Sequence, residues 1–441
     1  SSAMTIQFTT NDLESQWMPF TANKDFKQSP RLLVKADGMY YENHEGGRLL
    51  DGCAGLFCVA AGHGRKEVRD AIYTALEQLD YAPPFNTAHP LSFEAARKVA
   101  RILPDHMNHV FFTNSGSESV DTALKIALAY HYARNDKMRT RFVGRQRAYH
   151  GVNFGGLSVS GMVKNKEVFG PGLPGVLHMR HTWSKDERFV AGQPETGADK
   201  AEDLQGFVDT YGAESIACCI VEPVAGSTGC LPPPKGYLQR LREICDANGI
   251  LLIFDEVITG FGRMGTAFSD GVFGVKADIV TMAKALTNGT VAMGAVAVSD
   301  NVYETIISSG GPTAVEFFHG YTYSGSVPAA AACVAAMDIY EREDLFGNAA
   351  KMAGPFQEMV HSMKEFGLVT DIRSIGLLAG IDLSVDEKPG KRGYEVMKAL
   401  YAAGLLVKLT GDCALLSPPL ICNESHIDEM GTILRKTLAS F

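Results

Sequence analysis

Three short stretches place reactive side chains where they could do chemistry. In IVTMAKALTNG, a lone lysine, Lys284, follows an apolar run. Most lysines are solvated, but one held among apolar groups has a lowered pKa, and its neutral amine can form a Schiff base with a carbonyl. In ILLIFDEVITGFGRMG, an apolar run from Ile250 stops at two carboxylates, Asp255 and Glu256. The run reads as a strand buried on both faces, and in open α/β sheets ligands collect at the carboxyl ends of such strands. A lone Asp there more often caps the next turn. In FFTNSGSESVDTALK, a strand, the small-residue turn Ser115-Gly116-Ser117 and a strong helix follow one another. A helix start is an anion site, and Gly116 would let a phosphate approach the backbone closely.

Together the three stretches suit one ligand with a phosphate, an aldehyde and a cationic ring nitrogen. Pyridoxal phosphate has these handles, and a lysine Schiff base with an Asp at the pyridinium nitrogen is its recurrent arrangement. A fixed carboxylate at Asp255 would keep the ring protonated and so a better electron sink.

The elements that must hold these residues alternate. KEVRDAIYTALEQL, SFEAARKVARIL and SESVDTALKIALAYHYA have helical spacing, and HVFFTN, RFVGR, IACCIVEPV, ILLIFDEV, ADIVTMA and GAVAVSD read as strands. This pattern predicts an α/β fold with a largely parallel sheet. GMYYENHEGGRLLDG reads as a hairpin. The expected division is residues 1–60 as an N-terminal arm and hairpin joining a small domain, 61–329 as the large domain, and 330–441 as the smaller α+β domain.

With 441 residues, 46% of them hydrophobic, the chain can bury a large core. A net charge of -9 argues against nucleic acid or an anionic membrane as partner, and no apolar stretch is long enough to span a bilayer. The nine cysteines include no C-x-x-C pair and read as reduced thiols of a cytoplasmic protein. Ser1–Ala3, before Met4, reads as an expression remnant. His63, His89, His150 and His319 fall in no ligand spacing, so no catalytic metal is expected and structural roles are assigned to them. Glu256 reads as a structural carboxylate.

At these residues the sequence resembles the class III (subgroup II) aminotransferases of fold type I. The likeness runs nearly end to end through NSGSES, YHG at Tyr149–Gly151, VEPVAGS, DEVITGFGRMG, Lys284 after DIVTMA, and FHGYTYSG. Within the class, WMPFTANKDFKQSPRL and ITGFGRMG resemble the omega-amino acid (β-alanine):pyruvate aminotransferases. The resemblance implies a large domain with a mostly parallel seven-stranded sheet, a smaller α+β domain, and pyridoxal phosphate as cofactor. It implies that Lys284 carries the cofactor and, once released, shuttles a proton. Asp255 would pair with the ring nitrogen, Tyr149 stack on one ring face and Val257 pack on the other. Ser115, Gly116 and Ser117 would bind the phosphate, and Glu222 would lie on the ring's hydroxyl side. Thr322 would reach the phosphate from a neighbouring subunit, so the implied assembly is a homodimer with shared active sites, with tetramers open. The implied reaction is ping-pong: an amine donor leaves its amino group on the cofactor, and a keto acid collects it.

Two positions bear on substrate. The 4-aminobutyrate and ornithine branches carry a Glu five residues after the Glu of VEP, and here that position is Ser227, which favours pyruvate as acceptor. The omega-amino acid group binds the substrate carboxylate with an arginine in V-R-x-x-G-D, where this chain has VKLTGD and Lys408. A lysine offers a point charge without the bidentate fork. Either Lys408 serves, or Arg263 contributes, or the donor is an amine without a carboxylate. Phe20, Phe57 and Phe85 match positions that line the substrate site in relatives. Alternatives are an amine:pyruvate transaminase, a 4-aminobutyrate or taurine type, an aminomutase or decarboxylase of the same fold, and a non-catalytic binding protein.

Overall fold

The computed structural model describes residues 10–441, so the reading of Ser1–Ala3 lies outside the described residues. Strands β1 (Leu33–Asp37), β2 (Tyr40–Asn43) and β3 (Arg48–Asp51) pair antiparallel, with Gly46 at φ +83° turning β2 into β3.

The large sheet contains β4 (His109–Thr113), β5 (Arg141–Arg145), β6 (Leu177–Met179), β7 (Ile216–Val221), β8 (Leu251–Asp255), β9 (Ile279–Met282) and β10 (Gly294–Val298). Their order is β4-β10-β9-β8-β7-β5-β6. Strand β10 runs antiparallel to both neighbours, and the other pairings are parallel. Every residue of β7 and β8 is buried, as expected for strands covered on both faces. Alternation divides them between two cores: Cys219, Leu252 and Phe254 enter one, and Cys218, Leu251 and Ile253 the other. All nine cysteines are free thiols, and only Cys58 is less than fully buried.

Beyond residue 360, β11 (Val369–Ile375), β12 (Leu378–Leu383), β14 (Lys408–Thr410) and β15 (Cys413–Leu416) form an antiparallel sheet, while the two-residue β13 (Leu405–Leu406) pairs parallel with β3. Gly52 fastens this seam, donating to the Leu406 carbonyl and accepting from the Ser417 amide, each at 2.8 Å. The Val327–Arg342 helix packs on the Lys66–Gln78 and Pro90–Ile102 helices. Among the described residues no helix is long and apolar enough to cross a membrane.

The parallel strands share one carboxyl edge, and the candidate chemistry gathers there. Asp255 is the last residue of β8, Glu222 follows β7, Tyr149 follows β5, Lys284 follows β9, and the Gly116–Ala133 helix begins three residues after β4.

Candidate active site

A cavity of about 450 Å³ opens at this edge, lined by Ser115, Gly116, Ser117, Tyr149, Glu222, Ser227, Asp255, Val257 and Lys284, among others.

The helix start is capped by its own side chains. The Ser115 hydroxyl caps the Glu118 amide at 3.1 Å, and Glu118 reaches back to the Asn114 amide at 2.8 Å. Ser117 Oγ accepts from the Val152 amide at 3.0 Å. A Cβ at Gly116 would lie 3.2 Å from Val257, and one at Gly151 only 2.4 Å from Ser117 Oγ. Both glycines therefore keep the approach to the helix start narrow and open.

Asp255, 6% exposed, is held from two sides: Oδ2 lies 2.8 Å from His150 Nδ1, and Oδ1 accepts from the Val257 amide at 3.1 Å. His150 is itself buried, and its Nε2 has no hydrogen-bond partner among the described residues. Glu222 accepts from the Tyr149 amide at 3.1 Å. Burial pushes the Glu222 carboxyl up to about 7, with His150 opposing and Asp255 adding to the rise. Desolvation, then Asp255 and Glu222, raise the Tyr149 phenol.

Lys284 opens a single 3-10 turn, Lys284–Thr287, with its own backbone at φ +55°, a left-handed conformation that costs a non-glycine residue about 1–2 kcal/mol. Neighbours hold the turn. The Tyr340 hydroxyl donates to the Ala285 carbonyl at 2.5 Å, and the Asn288 side chain bonds the Ala61 amide at 2.8 Å and the Gly62 carbonyl at 3.0 Å. Lys284 Nζ donates to the Leu56 carbonyl at 3.0 Å and lies 5.7 Å from the Phe57 ring centre. Burial lowers the ammonium's pKa; Cys58 and Asp255 oppose this, and Lys408 adds to it.

The remaining residues singled out by sequence lie outside the cavity lining. Phe57 is buried beside Lys284. Phe20 and Phe85 are exposed at 76% and 56%, and Phe85 packs near Gly320. Thr322 is exposed, its carbonyl accepting from the Tyr81 hydroxyl at 2.9 Å. Lys408 is half-buried, its Nζ bonded to the Leu409 carbonyl at 3.2 Å, and burial lowers its pKa. Arg263 is buried and spends its guanidinium on the Leu377 and Pro418 carbonyls at 3.1 and 2.5 Å. His63 meets Asp51, His89 the Gly325 carbonyl, and His319 the Thr122 hydroxyl.

Sequence reasoning missed two partners. One is the bond from His150 to Asp255, for which the YHG triplet was the available signal. The other is the Leu56 carbonyl, which no residue letter announces.

The site fits pyridoxal phosphate. It offers a glycine-cradled helix start, an aspartate fixed at a strand end and a desolvated lysine within one cavity.

Comparison with known proteins agrees. Residues 21–438 match the sequence model of the family Aminotransferase class-III. The omega-aminotransferase of Caulobacter vibrioides is 51% identical, covering 98% of both chains. The β-alanine–pyruvate aminotransferase of Pseudomonas aeruginosa is 43% identical over 95% of this chain and 94% of its own. A solved amine transaminase from an uncultivated Pseudomonas species, in its PLP-bound form, superposes with a TM-score of 0.91 at 34% identity, covering 96% of this chain and 98% of its own. The chain accordingly belongs to the class III aminotransferases, enzymes that move amino groups with pyridoxal phosphate.

Proposed function

We propose that this aminotransferase moves an amino group from an omega-amino acid or amine, β-alanine-like in shape, to pyruvate. The observation that carries the acceptor is Ser227 in the cavity lining, where a glutamate would be needed to pair with an arginine and admit a dicarboxylate. The similarity to the omega-aminotransferase and the β-alanine–pyruvate aminotransferase supports the same reading.

When bound, the cofactor supplies an electron sink for the carbon that loses a proton. The chain does the rest. Gly116 and Ser117 would bind the phosphate through backbone N–H and hydroxyl, Asp255 would accept from the ring nitrogen, and Tyr149 and Val257 would hold the ring. Glu222, in the cavity lining, would serve the hydroxyl side of the ring. The Lys284 amine, with its pKa lowered by burial, takes and returns the substrate proton.

Lys408 is the chain's cation for a substrate carboxylate. Its ammonium bonds only a backbone carbonyl and has no carboxylate partner among the described residues. Thr322, Phe20 and Phe85, exposed in one chain, fit a homodimer in which each subunit completes its neighbour's site. A two-domain division near residues 60 and 330 and a cytoplasmic location complete the proposal.

The test is the half-reaction. β-Alanine should bleach the visible absorbance of the bound cofactor, and pyruvate, rather than 2-oxoglutarate, should restore it. Lys408→Leu should raise the KM for β-alanine about tenfold or more while leaving 1-phenylethylamine unaffected. Bleaching by 1-phenylethylamine alone would make the protein an amine transaminase with no carboxylate requirement. Turnover without an amino acceptor would indicate an aminomutase or decarboxylase.

A further inference from the structure

Leu56 and Cys58 line the cavity, and both come from the turn Cys53–Cys58. Its backbone is left-handed at Ala54 (φ +48°), Gly55 (φ +69°) and Phe57 (φ +65°). Such conformations persist only when the surroundings over-determine them.

Asp51 supplies that support. It is fully buried, and its carboxylate gathers three N–H groups. Oδ1 accepts from the Cys53 amide at 3.2 Å, and Oδ2 from the Gly55 amide at 2.8 Å and His63 Nε2 at 2.7 Å. The His63 ring packs against Tyr41 with centroids 4.3 Å apart. The turn so formed presents the Leu56 carbonyl to Lys284 Nζ at 3.0 Å. Asn288, four residues past the lysine, ties the same segment again through Ala61 and Gly62. The lysine turn and the Cys53–Gly62 segment are thus fastened at two points.

We propose that Asp51, fixed by His63, is a positioning residue for Lys284: it shapes the Cys53–Cys58 turn so that the Leu56 carbonyl holds the lysine amine whenever that amine is free of the cofactor. This rests on the reading of Lys284 as the cofactor-bearing lysine. Lysine has a long stem with many rotamers, and an amine that must pick up a substrate proton gains from having one of its hydrogens anchored. The carbonyl anchors it without adding charge.

Four variants test this. Asp51→Asn sets an amide N–H against backbone N–H groups. Gly55→Ala changes no charge and meets nothing closer than 3.4 Å, but it forces alanine into φ +69°, ψ -103°. His63→Ala removes the anchor of Asp51, and His63→Gln keeps an N–H in its place. The readouts are borohydride fixation of the cofactor with peptide mapping, the single-turnover rate of the amine half-reaction, KM, and the pH midpoint of the bound cofactor's visible absorbance.

Asp51→Asn, Gly55→Ala and His63→Ala are expected to slow the half-reaction about tenfold to a hundredfold. They should shift the pH midpoint and leave KM for the amine within about twofold, as expected when an interaction acts only on the chemical step. His63→Gln should restore most of the rate lost in His63→Ala. Folded Asp51→Asn and Gly55→Ala proteins with wild-type rate and pH midpoint would overturn the proposal. If Asp51→Asn does not fold, equal behaviour of His63→Ala and His63→Gln would overturn it. Fixation at a lysine other than Lys284 would instead bring down the underlying reading, which the peptide map identifies separately.

Discussion

Glu256 follows Asp255 at the end of β8 and is buried, its Oε1 accepting from the Thr259 hydroxyl at 3.0 Å and the Ser269 amide at 2.7 Å. Burial pushes its carboxyl up to about 7 from an ordinary 4.5. The folded state therefore keeps this proton across a window where the unfolded chain releases it. The stability it confers is full below pH 4.5 and falls as pH rises to about 7, by about 3 kcal/mol in all. Glu256→Gln retains an oxygen for both donors and has no charge to bury. Its melting temperature should gain on the wild type between pH 5 and pH 7 and level off above; a constant difference would mean that Glu256 ionises freely. Asp255, Lys284 and the Ser115–Ser117 turn were legible in the sequence because side-chain type and strand-end position together imply a role. The support of Asp255 by His150, and of Lys284 by a carbonyl, was not legible. Both depend on contacts between segments distant in sequence, and one uses a backbone atom common to every residue.

Six of the seven large-sheet strands were legible as apolar runs bounded by turns. Strand β6 was not, because Leu177–Met179 is three residues long with only Met179 fully buried, too short for periodicity to register. Nor could the reversed direction of β10 be read, since an apolar run carries no polarity of chain direction. Close backbone approach is a property of the same level. A Cβ at Gly156, in the short Phe154–Val159 helix, would lie 2.1 Å from the His150 carbonyl oxygen. Gly156→Ala should therefore destabilise the protein by about 1–3 kcal/mol in urea titrations. It should also weaken cofactor binding, because His150 must move and Asp255 with it. Gly206→Ala, in a helix with nothing within 4 Å of the new methyl, should instead stabilise by about 0.5–1 kcal/mol.

At the scale of the whole molecule, the loop before the Val327–Arg342 helix leaves large apolar side chains in solvent. Phe318 is 92% exposed and Tyr323 60%, on either side of Thr322. Exposed aromatic side chains in this loop suit the homodimer proposed above. Sedimentation should give a dimer, and Phe318→Asp should weaken dimerisation at least about tenfold. If Thr322 completes the neighbour's phosphate site, the same variant should weaken cofactor binding when diluted to monomer. A dimer indifferent to Phe318→Asp would place the interface elsewhere. The N-terminal hairpin joins the C-terminal segment through β3 and β13, a pairing between residues about 350 positions apart that no local pattern could reveal.

Eight of the nine thiols are sealed in the interior, and the remaining one, Cys58, opens onto the cavity. The protein thereby carries its own occupancy gauge. A mild thiol reagent should attach once per chain, quickly when the cavity is empty and slowly when it is filled, so that the labelling rate alone would read out how much of a preparation is loaded.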